Sequence, residues 1–132
     1  MGERLRGGSG SQSPLQIEAV SHQWWWEFRY PNADGVVTSD VLHIPAGREI
    51  VFRVTSVDVI HSFWIPRLGG KIDAIPGHQN TIILKADAPG TYGGVCAEFC
   101  GSGHSQMRFR VVAHAEDTYD EQLANVVNEG AP

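Results

Sequence analysis

The chain has 132 residues, with 10 Lys plus Arg against 15 Asp plus Glu and a formal charge of -5 at pH 7. That length suits one domain with a sizeable core and needs no disulfide staples. The acidic balance argues against nucleic acid and fits a basic partner, and no run of about eighteen apolar residues is present to span a membrane.

Residues 1–14 are polar, rich in Gly and Ser, and lack the apolar segment of a secretory signal. They read as a disordered leader or junction, and residues 15–132 as the domain. Residues 15–20 alternate apolar and polar, as a half-buried strand does. Residues 22–30 are aromatic and β-prone, and 31–35 form a turn with Asp-Gly as its hairpin signal. Residues 36–44 read as one strand or two short ones, and Pro45 with Gly47 turns the chain again. Over 49–57, Ile50, Phe52 and Val54 face one way and Val51, Arg53 and Thr55 the other.

A short segment follows over 61–66, then a bend at Gly69 and Gly70. Residues 79–86 form a strand with Ile82 and Leu84 inward, and 91–95 lead into a loop. Met107, Phe109 and Val111 alternate with Arg108 and Arg110 on a last strand. The tail has helical spacing: Thr118 and Glu121 fit a capping box, and Tyr119, Leu123 and Val126 share one face. About seven short strands with closely spaced turns predict an antiparallel β-sandwich with Greek-key connections and a short C-terminal helix.

The densest chemistry lies between residues 96 and 107. Both cysteines, Cys96 and Cys100, are there, with His104 and Met107, the one methionine besides Met1. Thiolate, imidazole and thioether on one short loop are soft and borderline ligands, which suit copper better than magnesium or calcium. A local disulfide between the two cysteines is the alternative that the pair alone leaves open.

The pattern Cys-x-Glu-x-Cys-x3-His-x2-Met, carried here by Cys96, Glu98, Cys100, His104 and Met107, resembles that of the copper-A domain of cytochrome c oxidase subunit II. Three further blocks match in the family's order: the aromatic stretch 22–26, the segment 58–66 around His61, and the Lys-x-Asp-Ala-Ile-Pro-Gly segment 71–77. The resemblance implies a cupredoxin-like all-β fold. It also implies two copper ions bridged by the thiolates of Cys96 and Cys100, with His61 and His104 each completing one copper. Met107 and the backbone carbonyl of Glu98 would be weak ligands. Phe63, Trp64, Ile65 and Phe99 would exclude water around the pair.

The same resemblance assigns Trp24 as the surface residue where electrons enter from cytochrome c. It places Asp58 and Asp73 near the docking face. The electrons would pass to a haem in the catalytic subunit I, which carries oxygen reduction. In that assembly, the Glu98 carboxylate would help hold magnesium at the subunit boundary. The domain would face the periplasm, or the equivalent mitochondrial space, and meet the membrane only through its parent subunit. Trp25 stands where Tyr is usual, Phe63 where Trp is common and His78 where Arg is common, and the last two departures are expected to alter contact with the core subunit. His43 and His114 have no family counterpart and read as surface histidines.

The copper-A domain of nitrous-oxide reductase shares the ligand loop, but the aromatic block and the 71–77 segment favour the oxidase. A mononuclear blue-copper site needs only one cysteine. A copper chaperone would want exposed, exchangeable ligands, and a disulfide-stabilised binding module would have neither free thiols nor copper.

Overall fold

The protein is described by a computed structural model over residues 14–33 and 35–126. Residues 1–13 of the expected leader, Asp34 of the expected turn and residues 127–132 lie outside the described residues. The strands are β1 (Leu15–His22), β2 (Trp25–Arg29), β3 (Val37–Ser39), β4 (Val41–Pro45), β5 (Ile50–Ser56), β6 (His61–Trp64), β7 (Lys71–Ala74), β8 (Asn80–Leu84), β9 (Gly90–Cys96) and β10 (Arg108–His114). Among the described residues one α-helix, α1 (Tyr119–Asn125), follows them. One sheet has the order β3-β2-β1-β5-β8 and the other β4-β10-β9-β6-β7.

The alternation along β5 is realised as written: Ile50, Phe52 and Val54 are buried, and the residues between them are half-buried. The core where the two sheets meet is aromatic. The Phe63 ring lies parallel to Phe109 at 5.5 Å and meets Phe52 at 5.1 Å, and Trp26 packs against Phe63 at 5.5 Å. Each fully buried ring of this kind contributes roughly 1.5–3 kcal/mol. Gly94 lies opposite Phe109 in the β9–β10 pairing, and a Cβ there would sit 2.1 Å from that ring. The ring therefore rests directly on backbone.

Several details depart from the sequence expectation. The β1–β5 and β4–β10 pairings are parallel rather than antiparallel. Both arise because the chain leaves one sheet after β3, adds β4 to the other and returns as β5. The aromatic stretch 22–30 is not one strand: β1 and β2 form an antiparallel hairpin, His22 pairs with Trp25, and the turn is Gln23 and Trp24. The Gln23–Trp24 peptide is cis. Strand β7, opposite β6, went unread because its apolar residues show no long alternation.

The tail helix forms and buries Tyr119 and Leu123, but Thr118 makes no side-chain cap. Its hydroxyl donates to the Ala115 carbonyl instead, at 3.1 Å. His43 is buried rather than on the surface. Strand β4 is covered on both faces, and the His43 ring meets His114 with nitrogens 2.8 Å apart. Phe63, expected at a subunit contact, is core.

Asp40 ties the two sheets where the chain crosses between them. Its carboxylate accepts from the Trp26 N–H at 2.8 Å, its N–H donates to the Trp26 carbonyl at 2.9 Å, and its carbonyl accepts from Arg110 N–H at 2.9 Å. Its φ is 61°, in the left-handed region that Asp and Asn tolerate best among residues with a side chain. Asp40→Ala should therefore lower the unfolding free energy by about 2 kcal/mol through a lost buried acceptor and added backbone strain. Asp40→Asn should lose much less. Urea unfolding of the two variants checks this, and equal destabilisation would remove the side-chain bond from the account.

Candidate metal centre

Two loops at one end of the sandwich bring the expected ligands together. His61 opens β6, which pairs with the end of β9 so that Phe63 lies opposite Cys96. The Ala97 N–H donates to the Ser62 carbonyl at 3.1 Å and extends that contact into the loop. The Cys96 N–H donates to the Met107 carbonyl at 3.1 Å, so the loop leaves and rejoins the sheet at one point. Within it, Gly101 has φ 119°, a conformation that calls for glycine, and its carbonyl accepts from the His104 N–H at 3.1 Å.

Cys96 and Cys100 are free and buried, with their sulfurs 3.7 Å apart. His61 Nδ1 lies 3.8 Å from Cys96 Sγ, and His104 Nδ1 lies 3.5 Å from Cys100 Sγ. Met107 Sδ is 3.7 Å from Cys100 Sγ, and the Glu98 carbonyl oxygen is 3.1 Å from Cys96 Sγ. The donor atoms of His61, Cys96 and Cys100 all lie within 4.8 Å of one another. Two thiols, each with its own imidazole, plus a thioether and a carbonyl, form a compact and largely sulfur-rich donor set. That chemistry fits copper and not the hard cations.

The electrostatics treat the two thiols differently. Burial opposes ionisation of Cys96, but hydrogen bonds from His61 and from backbone at Ser62 and Glu98 outweigh it and bring the thiol down to about 6. Burial, joined by the neighbouring Cys96, pushes Cys100 up to about 12. Burial also opposes protonation of His61, yet its contacts with Cys96 and Asp58 raise it above its usual value. The other His61 nitrogen, Nε2, donates to Asp58 Oδ1 at 2.8 Å. Burial works against the Asp58 carboxylate, but His61 and the backbone N–H groups of Gln23 and Val59 hold it below the usual carboxylate range. A carboxylate on the far nitrogen of a ligand imidazole fixes its tautomer and leaves Nδ1 for the metal.

The remaining expected site residues fall around this cluster. Trp24 is 40% exposed, and its indole N–H donates to the Cys100 carbonyl at 3.2 Å. A Cβ on Gly103 would lie 2.4 Å from the indole, so the ring sits flat on the ligand loop. Asp58, expected at a docking face, is taken up by His61 and the Gln23 N–H. Asp73 and the Glu98 side chain are exposed and line an open cleft of about 400 Å³ with Lys71 and Asn80. Ser62 Oγ, also at that cleft, is buried without a hydrogen-bond partner. Phe63 and Ile65 are buried as expected of water-excluding residues, but Phe99 is 74% exposed, with its ring tilted 5.7 Å from that of His104. His78 is on the surface beside Asn80. The sequence offered no signal for Gln23, nor for Asp58 as the partner of His61.

The proton bookkeeping of Cys96 and His61 gives a pH prediction for the metal-free, reduced protein. Cys96 is brought down from 9.0 to about 6, so it contributes stability that is lost as pH falls through that range. His61 is raised, so it contributes stability that is lost as pH rises above 6.5, and there the two changes oppose each other. Between 6.5 and about 6 the thiolate change acts alone, so stability falls as pH falls. Above 9.0 the unfolded thiols ionise while Cys100 keeps its proton in the fold, so stability falls as pH rises. Urea midpoints should fall at both ends of this range. Cys96→Ser should flatten the acid-side step.

The sequence matches the family described as cytochrome c oxidase subunit II, periplasmic domain, over residues 36–114. It is 45% identical to cytochrome c oxidase subunit 2 of Alkalihalophilus pseudofirmus over 106 residues, which cover 80% of this chain and 31% of that protein. It is 40% identical to quinol oxidase subunit 2 of Bacillus cereus over 119 residues, 90% of this chain and 40% of that one. The chain thus spans well under half the length of these relatives. Among solved structures, the periplasmic domain of subunit II of cytochrome oxidase (CoxB) of Bradyrhizobium japonicum superimposes with a TM-score of 0.82 at 29% identity, covering 89% of this chain and 96% of that one. The match covers more than half the chain, includes the ligand loop and extends to a cupredoxin-like fold, and so the chain belongs to the family of the cytochrome c oxidase subunit II periplasmic domain.

Proposed function

We propose that this domain holds a binuclear copper-A centre and serves as an electron-transfer module of a cytochrome c oxidase, within the oxidoreductase complex of its parent subunit. The observation that carries the reading is the pair of free, buried thiols 3.7 Å apart, each with an imidazole beside it. Cys96 and Cys100 would bridge two coppers, His61 and His104 would each bind one, and Met107 and the Glu98 carbonyl would complete the set as weak ligands. Bound there, the pair supplies a one-electron redox centre.

The chain's own part is to fix the donors and keep water out. His61 is fully buried and braced by Asp58, and Cys96, Cys100 and Met107 are each at most 5% exposed. Rigid, dry ligation keeps geometry constant between redox states and tunes potential through the local dielectric. Trp24 offers an exposed ring joined by one hydrogen bond to Cys100 and would take electrons from cytochrome c. The cleft with Asp73 and Glu98 would face partners, among them the haem-bearing catalytic subunit, on the periplasmic side of the membrane. Among the described residues no helix is long and apolar enough to cross a membrane, so attachment would come through the parent subunit. A quinol donor, as the name of the Bacillus cereus relative suggests, gives the buried thiols no role. A chaperone would need more exposed ligands.

Electron paramagnetic resonance of the copper-loaded protein, with copper counted per chain, tests this reading. Two coppers and a hyperfine pattern from one electron shared by two nuclei are expected; one copper with a single-nucleus pattern would overturn the binuclear assignment. Cys96→Ser and Cys100→Ser should each abolish that signal. Met107→Leu should keep copper bound while shifting the spectrum and the potential, and complete loss of copper from that variant would refute a weak-ligand role.

A further inference from the structure

Gln23 makes one hydrogen bond to each of the two ligand loops. Its backbone N–H donates to Asp58 Oδ2 at 2.7 Å, and the other oxygen of that carboxylate receives His61 Nε2 at 2.8 Å. Its side-chain amide donates to the Cys100 carbonyl at 3.0 Å. The β1–β2 turn therefore reaches His61 through one carboxylate and holds Cys100 by its main chain. The Trp24 indole, from the next residue of the same turn, also donates to that carbonyl, at 3.2 Å.

Direct ties between the two loops run through Cys96, not Cys100. His61 Nδ1 faces Cys96 Sγ, and the Ala97 N–H donates to the Ser62 carbonyl. Cys100 sits farther out, where the chain turns through Gly101 at φ 119°. Its carbonyl is held from the β1–β2 turn, and Gln23 is the donor there that also reaches the His61 side.

We propose that Gln23 is a positioning residue of the metal centre, setting where the Cys100 thiol stands relative to Cys96 and His61. This rests on the copper reading above for its functional meaning, but the placement of Cys100 is a property of the chain itself. A glutamine amide suits the task because it stays neutral at every pH, donates in a fixed plane, and reaches past the turn from an exposed Cα.

The test uses Gln23→Met, which keeps the length and loses the donor, and Gln23→Glu, which sets an acceptor against an acceptor. Gln23 is exposed, so both variants should fold, and thermal unfolding of the metal-free proteins verifies it. In the metal-free, reduced protein, Cys100 should be alkylated about five- to tenfold faster than in the parent, the effect of one ordinary hydrogen bond on local opening. Peptide mapping should show Cys96 changing less. In the copper-loaded variants, copper per chain should persist while the hyperfine pattern becomes unequal and the potential shifts. Unchanged Cys100 alkylation in both variants would overturn the proposal whether or not copper binds. Faster Cys100 alkylation in the variants, together with a parent protein that binds no copper pair, would support the positioning role and reject the copper reading.

Discussion

The site depends on the register of β6 against β9. Phe63 opposite Cys96 sets His61 beside the same cysteine. Side chains alternate along a strand, so a slip of one residue would turn His61 outward and pull Phe63 from the core. Phe63 is held between Phe52, Trp26 and Phe109, and it reaches that position only in this register. Burying one such ring is worth roughly 1.5–3 kcal/mol, enough to fix a pairing that a few hydrogen bonds alone would leave loose. The hydrophobic core thus positions the first ligand, and the donor cluster continues the inner face of the sheet at its end.

That placement has an electrostatic cost, and the surrounding groups offset it. A buried thiolate needs a cation or several hydrogen-bond donors close by. Cys96 has the His61 imidazole and backbone groups, and His61 in turn has Asp58. The charges alternate outward from the sulfur, negative, positive, negative, and end at a carboxylate that is itself held by backbone N–H groups. The second sulfur also has an imidazole, His104 Nδ1 at 3.5 Å, but it stands beside a thiol that ionises first. With a neighbour already anionic, Cys100 holds its proton to about 12. Two sulfurs that cannot both ionise against each other become compatible when cations lie between them, which is the physical reason such a pair favours a soft metal over a proton.

How much of this could be read from the chain depends on where each residue's partners lie in sequence. The expected loop ligands Cys96, Cys100, His104 and Met107 are local: their residue types on one short loop pointed to a soft metal, and the family resemblance added their roles. The alternation of Ile50, Phe52 and Val54 was equally local and equally visible. What stayed hidden is what the sheets bring together from afar. His43 looked like a surface histidine because nothing near it in sequence shows that β4 is covered on both faces. Phe99 looked like a shield because it adjoins a ligand, yet it points into solvent. The stretch 22–30 looked like one strand because its aromatics suit any β position, and the turn at Gln23 and Trp24 carries neither Gly nor Pro to mark it. Nothing local in the sequence marks Gly94 and Gly103 as the places where the rings of Phe109 and Trp24 rest.

The β1–β2 turn also explains how a largely buried donor cluster can lie close to the surface. His61 is fully buried while Trp24, bonded to the Cys100 carbonyl, is 40% exposed. One covalent residue and one hydrogen bond separate solvent-facing indole from ligand sulfur. Val57, Val59, Ile60 and Phe99 are exposed apolar residues on the two expected ligand loops themselves. Exposed apolar side chains gathered at one end of a domain are a feature of surfaces that meet another protein. Electron exchange needs close approach but no substrate channel, and a redox protein serves it best with a flat, partly apolar face over a rigid centre. On the proposed electron-transfer reading, the loops that carry the donors would also carry the surface, and the same hydrogen bonds that fix the donors would fix the distance at which a partner can stop.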